Sequence, residues 1–168
     1  MTELENFRQL KDDFFEKDEQ SPLTDNQKLN FHGLNYFPED AALRLVLPVE
    51  EFETKDKIKI PTSTGEVQVY NRFGKIKFEV EGQPAELTIY ASRDGFFLPF
   101  VDALVGKETY GAGRYLEPSI AGPGKLLIDF NLAYNPYCAY NENWSCPITP
   151  AENRLKVPIR AGEKVFKE

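Results

Sequence analysis

The chain has 168 residues, a formal net charge of -7 and a pI of about 4.9. That length suits about one domain and buries roughly 70% of the unfolded surface, so neither disulfides nor a metal are needed for folding. An acidic body repels the phosphate backbone and anionic lipid, which argues against nucleic acid and membrane surfaces as partners.

The first 20 residues show neither a basic start nor an apolar run, and no stretch nears the roughly 20 apolar residues of a membrane helix. A cytoplasmic protein with two thiols is therefore expected. Twelve prolines and 13% aromatics favour short strands and turns over long helices.

Leu4, Phe7, Leu10, Phe14 and Phe15 recur at helical spacing opposite Glu, Lys and Asp, and Thr2 with Glu5 forms a capping-box pattern. This predicts a helix ending near Lys17. A second, shorter helix is expected to open at Ser21-Pro22, or at Thr24 with Gln27 as its cap. It turns Leu23, Leu29 and Phe31 inward and ends at Gly33. Both helices are too short to stand alone and are expected to lie on a sheet.

From Leu43 the period falls to two. Leu43, Leu45 and Leu47 mark one strand, and Ile58 and Ile60 another. A turn at 62–65 leads to Val67 and Val69, and a second turn is expected at 71–74. Ile76, Phe78 and Val80 form the next inner face, followed by a turn at 81–84 and the pair Leu87 and Ile89. A turn at 93–95 leads to a less regular half with short strands near 114–116 and 126–128. Leu155, Val157 and Ile159 supply a last inner face. The fold class is mainly β: an antiparallel meander, barrel-like or a sandwich, with one or two N-terminal helices. Residues 1–168 form a single domain, with a helical segment over 1–40 and a β body over 41–168.

The segment Asp129–Pro147, DFNLAYNPYCAYNENWSCP, holds both cysteines, the single tryptophan and three of the eight tyrosines. Rings pack inward and amides point at a partner, so the segment reads as a wall. Its landmarks, with GLNYFP at 33–38, TYGAGRYL at 109–116, CPITPAENRL at 146–155 and IRAGEK at 159–164, resemble the bacterial and archaeal domain of unknown function 1684 family over roughly 31–163. That resemblance marks positions and implies no activity.

The candidate ligand-binding residues are Arg114, Asn131, Tyr134, Asn135, Asn153 and Glu163. An arginine fork among amides in an acidic protein suits a small polar or anionic molecule. Asp129 or Glu152 could act as general base in a hydrolase, and Cys138 is the nucleophile candidate. The competing reading is a structural network of caps and buried pairs. Tyr110, Tyr115, Tyr134, Tyr137, Tyr140 and Trp144 either line a pocket or close the end of the fold. A rigid aromatic patch for a protein partner or a homodimer is the non-enzymatic alternative.

Cys138 and Cys146 are eight positions apart. With one histidine in the chain, that spacing gives no zinc set, and no metal or cofactor is expected. The pair reads foremost as buried thiols, with a disulfide as the alternative. His32 is expected at a helix end, beside free carbonyls. Gly106–Gly113 lacks the lysine and hydroxyl spacing of a phosphate-binding loop and reads as a turn.

Overall fold

The computed structural model describes residues 1–166. Helix α1, Glu3–Lys17, opens on the expected capping box: the Thr2 hydroxyl accepts from the Glu5 amide at 3.0 Å and the Glu5 carboxylate accepts from the Thr2 amide at 3.2 Å. Helix α2 is a single turn, Asp25–Leu29, capped by Thr24 and Gln27 rather than opening at Ser21-Pro22. It ends at Asn30, so His32 lies exposed beyond it, and Leu29 faces solvent instead of the interior.

Nine strands follow: β1 Arg44–Pro48, β2 Glu50–Glu51, β3 Lys57–Pro61, β4 Val67–Val80, β5 Gln83–Ser92, β6 Gly95–Phe100, β7 Arg114–Leu116, β8 Ser119–Gly122 and β9 Lys125–Asp129. They pair antiparallel in two sheets. One runs β1-β9-β8 and the other β2-β4-β5-β6-β7, with β3 also on β4. The sheets do not join edge to edge among the described residues, so the barrel alternative is corrected to a sandwich-like meander.

Binary alternation places the main core. Ile76, Phe78, Val80, Leu87, Ile89, Leu98 and Phe100 from the larger sheet meet Leu126 and Ile128 from the smaller one, with Phe130 against Phe78 and Phe100. Val157 and Ile159 are buried there as expected, although their segment is irregular rather than a strand.

The expected turn at 71–74 is instead a bulge inside β4, where the register slips between Arg72 and Gly74. Gly74 is required at that kink because a Cβ would lie 2.6 Å from the Glu50 carbonyl of β2. Val67 and Val69, beyond the bulge, face outward. The β4–β5 turn is tight: Glu81 at φ 52° and Gly82 at φ 78° give both central residues the left-handed backbone that a two-residue hairpin needs.

Helix α1 buries Phe15 in a cluster separate from the main core. Phe15 packs edge-on against Tyr140 at 5.0 Å and Tyr137 at 6.1 Å, with Phe31 and Leu23 completing a satellite core. The helix therefore rests on the aromatic segment that follows β9, and that contact creates the concave surface described next.

Candidate functional site

The chain leaving β9 makes three short 3-10 turns, Phe130–Leu132, Tyr137–Ala139 and Ala151–Asn153, and its polar side chains are engaged by main chain. Asp129 caps the first turn, accepting from the Asn131 amide and side chain at 3.0 Å each, and lies 3.8 Å from Arg44. Asn131 binds both the amide and the carbonyl of Asp40 at 2.9 Å. Asn135 donates to the Lys164 carbonyl at 2.9 Å. Asn153 holds Thr88 and Pro99 backbone groups.

Arg114 is 1% exposed. Its Nη2 donates to the Ile159 carbonyl at 2.9 Å, and its Nη1 to the carbonyls of Glu163, at 3.1 Å, and Ala161. Asp102 lies 3.8 Å away and is itself held by Thr109 and the Ile159 amide. Burial pushes the guanidinium down to about 10, with Asp102 and then Glu163 opposing that shift. The arginine staples the IRAGEK segment to β7. Gly162 is needed inside that staple, because its φ is 78° and a Cβ would meet the Ala133 carbonyl at 2.7 Å.

Glu163 is a second buried clamp. It accepts from Lys11 of α1, from the Tyr140 hydroxyl at 2.5 Å and from the Asn135 amide at 3.4 Å. It thus ties α1 to the aromatic segment.

Glu152 sits at a different place, against β4 and β5 in the middle of the larger sheet. Arg72 grips it with two bonds of 3.1 and 2.7 Å, and the Tyr90 hydroxyl adds a third. The arginine bonds hold this carboxyl below its usual range, with burial opposing. A lowered folded pKa stabilises above the unfolded value and is lost as pH falls through the folded one. The pair is about a third exposed, so solvent screens it. Glu152→Gln is expected to cost about 1 kcal/mol or less at pH 7. That cost should shrink towards pH 3, read as the gap between urea midpoints at the two pH values.

The rings behave differently from the amides. Between α1 and the aromatic segment lies an open cleft of about 760 Å³. Helix α1 supplies Phe7, Leu10, Phe14 and Phe15 to one wall, and Tyr134, Tyr137 and Trp144 line the facing wall. Tyr115, Pro136, Cys146 and Pro147 complete its apolar surface, with Lys11 and Ser145 as the polar members. The Lys11 ammonium lies 5.0 Å over the Tyr134 ring while bound to Glu163. Trp144 meets Tyr137 edge-on at 5.1 Å.

Of the tyrosines read as pocket or plug, Tyr115, Tyr134 and Tyr137 line the cleft, Tyr140 fills the satellite core, and Tyr110 lies beside Cys138. Arg114, Asn131, Asn135, Asn153 and Glu163 are not among the lining residues. The helix contribution was missed from sequence. Its signal was an apolar stripe wider than one contact needs, since Phe7 and Leu10 stay 44% and 62% exposed.

Both cysteines are free thiols. Among the described residues no group of three or more His, Cys, Asp and Glu is placed to hold a metal, and no helix is long and apolar enough to cross a membrane.

A solution NMR structure of an uncharacterised protein from Haloarcula marismortui is similar at 33% identity and a TM-score of 0.71, covering 96% of this chain and 91% of that one. No curated protein matches. Residues 29–164 match the family described as protein of unknown function (DUF1684), and on that span the chain belongs to this family.

Proposed function

We propose that the protein binds a small, flat, apolar molecule in the cleft between α1 and the 134–147 segment. The observation that carries this reading is a ring-lined hollow of about 760 Å³, within the usual range for small-molecule sites, whose rim leaves Phe7, Leu10 and Trp144 open to water. Opposed aromatic walls favour stacking on a planar ligand.

The ligand is neutral rather than anionic. Lys11 is the cleft's cation, and its charge is already matched by Glu163. Arg114, the expected anion fork, is filled by three carbonyls. The hydrolase alternative has weaker support, because Asp129 serves as a turn cap and Glu152 is held by Arg72. A cytoplasmic setting suits the two free thiols.

The test uses N-phenyl-1-naphthylamine as a neutral fluorescent probe, beside its anionic counterpart 8-anilinonaphthalene-1-sulfonate. The neutral probe is expected to bind saturably and more tightly than the sulfonate, and to quench Trp144. Leu10→Glu places a carboxylate at the mouth on an exposed helix position. It is expected to raise the probe's Kd about tenfold, which is about 1.4 kcal/mol, with the thermal melt unchanged. No saturable binding, or equal affinity in the variant, overturns the reading. A dimer in sedimentation whose formation blocks the probe would replace the small ligand with a second copy of the chain.

A further inference from the structure

The loop from Cys138 to Cys146 brings its two ends together. The Cys138 amide donates to the Cys146 sulfur at 3.3 Å, and the Tyr110 hydroxyl lies 3.8 Å from the Cys138 sulfur. The Cys146 end is fixed on the turn after β3. Its amide donates to the Ser63 hydroxyl at 3.1 Å, and its carbonyl accepts from the Ser63 amide at 2.9 Å. Ser63 also binds the Trp144 carbonyl at 3.0 Å. Cys146 is buried and lines the aromatic cleft, whereas Cys138 is more open.

Two thiols kept only as small core hydrophobes would be independent and alike in reactivity. These two are neither. A hydrogen bond from Cys146 brings Cys138 down to about 6, against the opposing effect of burial, with Tyr110 adding to it. The same contact, with burial, pushes Cys146 up. Cys138, the more open sulfur with the Tyr110 hydroxyl beside it, is the nucleophile, and the buried Cys146 is the thiol that follows.

We propose that Cys138 and Cys146 form a reactive dithiol site whose substrate is a hydroperoxide and whose product is a reversible Cys138–Cys146 disulfide at the edge of the cleft. The Cys138 thiolate attacks one peroxide oxygen. An S–O bond forms, the O–O bond breaks, and the second oxygen leaves with a proton as water or an alcohol. Cys146 then attacks the sulfur of the resulting sulfenic acid. The S–S bond forms, the S–O bond breaks, and the departing hydroxide takes the Cys146 proton as water. The two thiols lose two electrons and the peroxide gains them. Two equivalents of a low-molecular-weight thiol return both electrons, leave as their own disulfide and restore the pair. Tyr110 is a positioning residue here: its hydroxyl donates to the Cys138 sulfur and favours the thiolate.

This chemistry does not depend on a ligand in the cleft, yet it is reported by it. Cys138 follows Tyr137, and Cys146 lies two residues after Trp144, so closing the bond moves the single tryptophan against its ring partner.

The reduced full chain is treated with hydrogen peroxide, blocked with N-ethylmaleimide and weighed by mass spectrometry without reductant. The expected product has lost two hydrogens, takes no maleimide, yields a linked 138–146 peptide pair and shifts Trp144 emission, all reversed by dithiothreitol. Cys146→Ser is expected to stop at a Cys138 sulfenic acid trapped by dimedone. In the otherwise wild-type chain the pH profile of Cys138 alkylation by iodoacetamide, read on the peptide that carries Cys138, should sit below that of an ordinary thiol, and Tyr110→Phe should move it upward. Two thiols still open to maleimide after peroxide overturn the proposal, and so does oxidation that yields only intermolecular disulfides. Both readouts come from the wild-type chain and need no variant to fold.

Discussion

Arg114→Ala is expected to remove about 3–5 kcal/mol of folding stability, the range for breaking a buried, hydrogen-bonded charge pair. A domain of this kind holds about 5–15 kcal/mol in total, so the variant is expected to lose its cooperative melt near body temperature. The cause is local. Removing the guanidinium leaves the Ile159, Ala161 and Glu163 carbonyls without their donor, and leaves Asp102 facing an empty space that Phe37 and Phe100 border. Each orphaned buried group costs about 1–3 kcal/mol.

Arg114→Lys keeps the charge but cannot span three carbonyls in one plane, so most of the loss is expected to remain. Urea unfolding followed by circular dichroism gives the number. A loss below about 1 kcal/mol in Arg114→Ala would mean that water replaces the fork and that the staple is dispensable. At low temperature, where the variant stays folded, it is expected to bind the neutral naphthylamine probe as the parent does. A variant that folds normally and loses only binding would return the arginine to a ligand site.

This experiment separates two roles that the sequence presents as one. Arg114, Asn131, Asn135 and Tyr134 all look like members of a single polar-aromatic wall. The fold divides them: amides and guanidinium turn towards main chain, and the rings turn towards α1. Residue type alone does not distinguish an asparagine that binds Asp40 from one that binds a ligand, because both need a donor and an acceptor in one plane.

The regular parts were legible where period and burial agree. Ile76, Phe78 and Val80 alternate with charges and are buried. The bulge at Arg72 and Gly74 was misread as a turn because both use glycine, and only the crossing of β2 tells them apart. The landing of α1 was not legible at all. Its apolar stripe specifies that it packs, and the partner is chosen by Phe15, Tyr137 and Tyr140, more than a hundred residues apart in sequence.

The second large effect is expected at Asn153. Strands β5 and β6 pair only from Tyr90–Phe97 to Ser92–Gly95, and beyond that point the ladder opens. The Asn153 side chain enters the opening. Its oxygen accepts from the Thr88 amide at 2.8 Å, and its nitrogen donates to the Thr88 carbonyl at 2.9 Å and the Pro99 carbonyl at 2.8 Å. One side-chain amide thus continues a ladder that two strands cannot close. Its own carbonyl also accepts from the Val101 amide at 3.0 Å, which keeps the segment parallel to the end of β6.

Asn153→Ala orphans three buried backbone groups and is expected to cost about 3–5 kcal/mol. Asn153→Asp is the sharper variant. The carboxylate still accepts from Thr88 but meets two carbonyls as an unpaired negative charge, so burial raises its folded pKa above the unfolded value of about 3.9. The native state then binds more protons than the unfolded one. Stability is greatest below about pH 4 and falls as pH rises through the raised folded value. Urea midpoints are therefore expected to fall from pH 4 to pH 8 in Asn153→Asp, relative to a parent and an alanine variant measured under the same conditions. A pH-independent offset between the two variants would mean that the aspartate has swung out of the opening, and that the ladder closes without a side chain at this position.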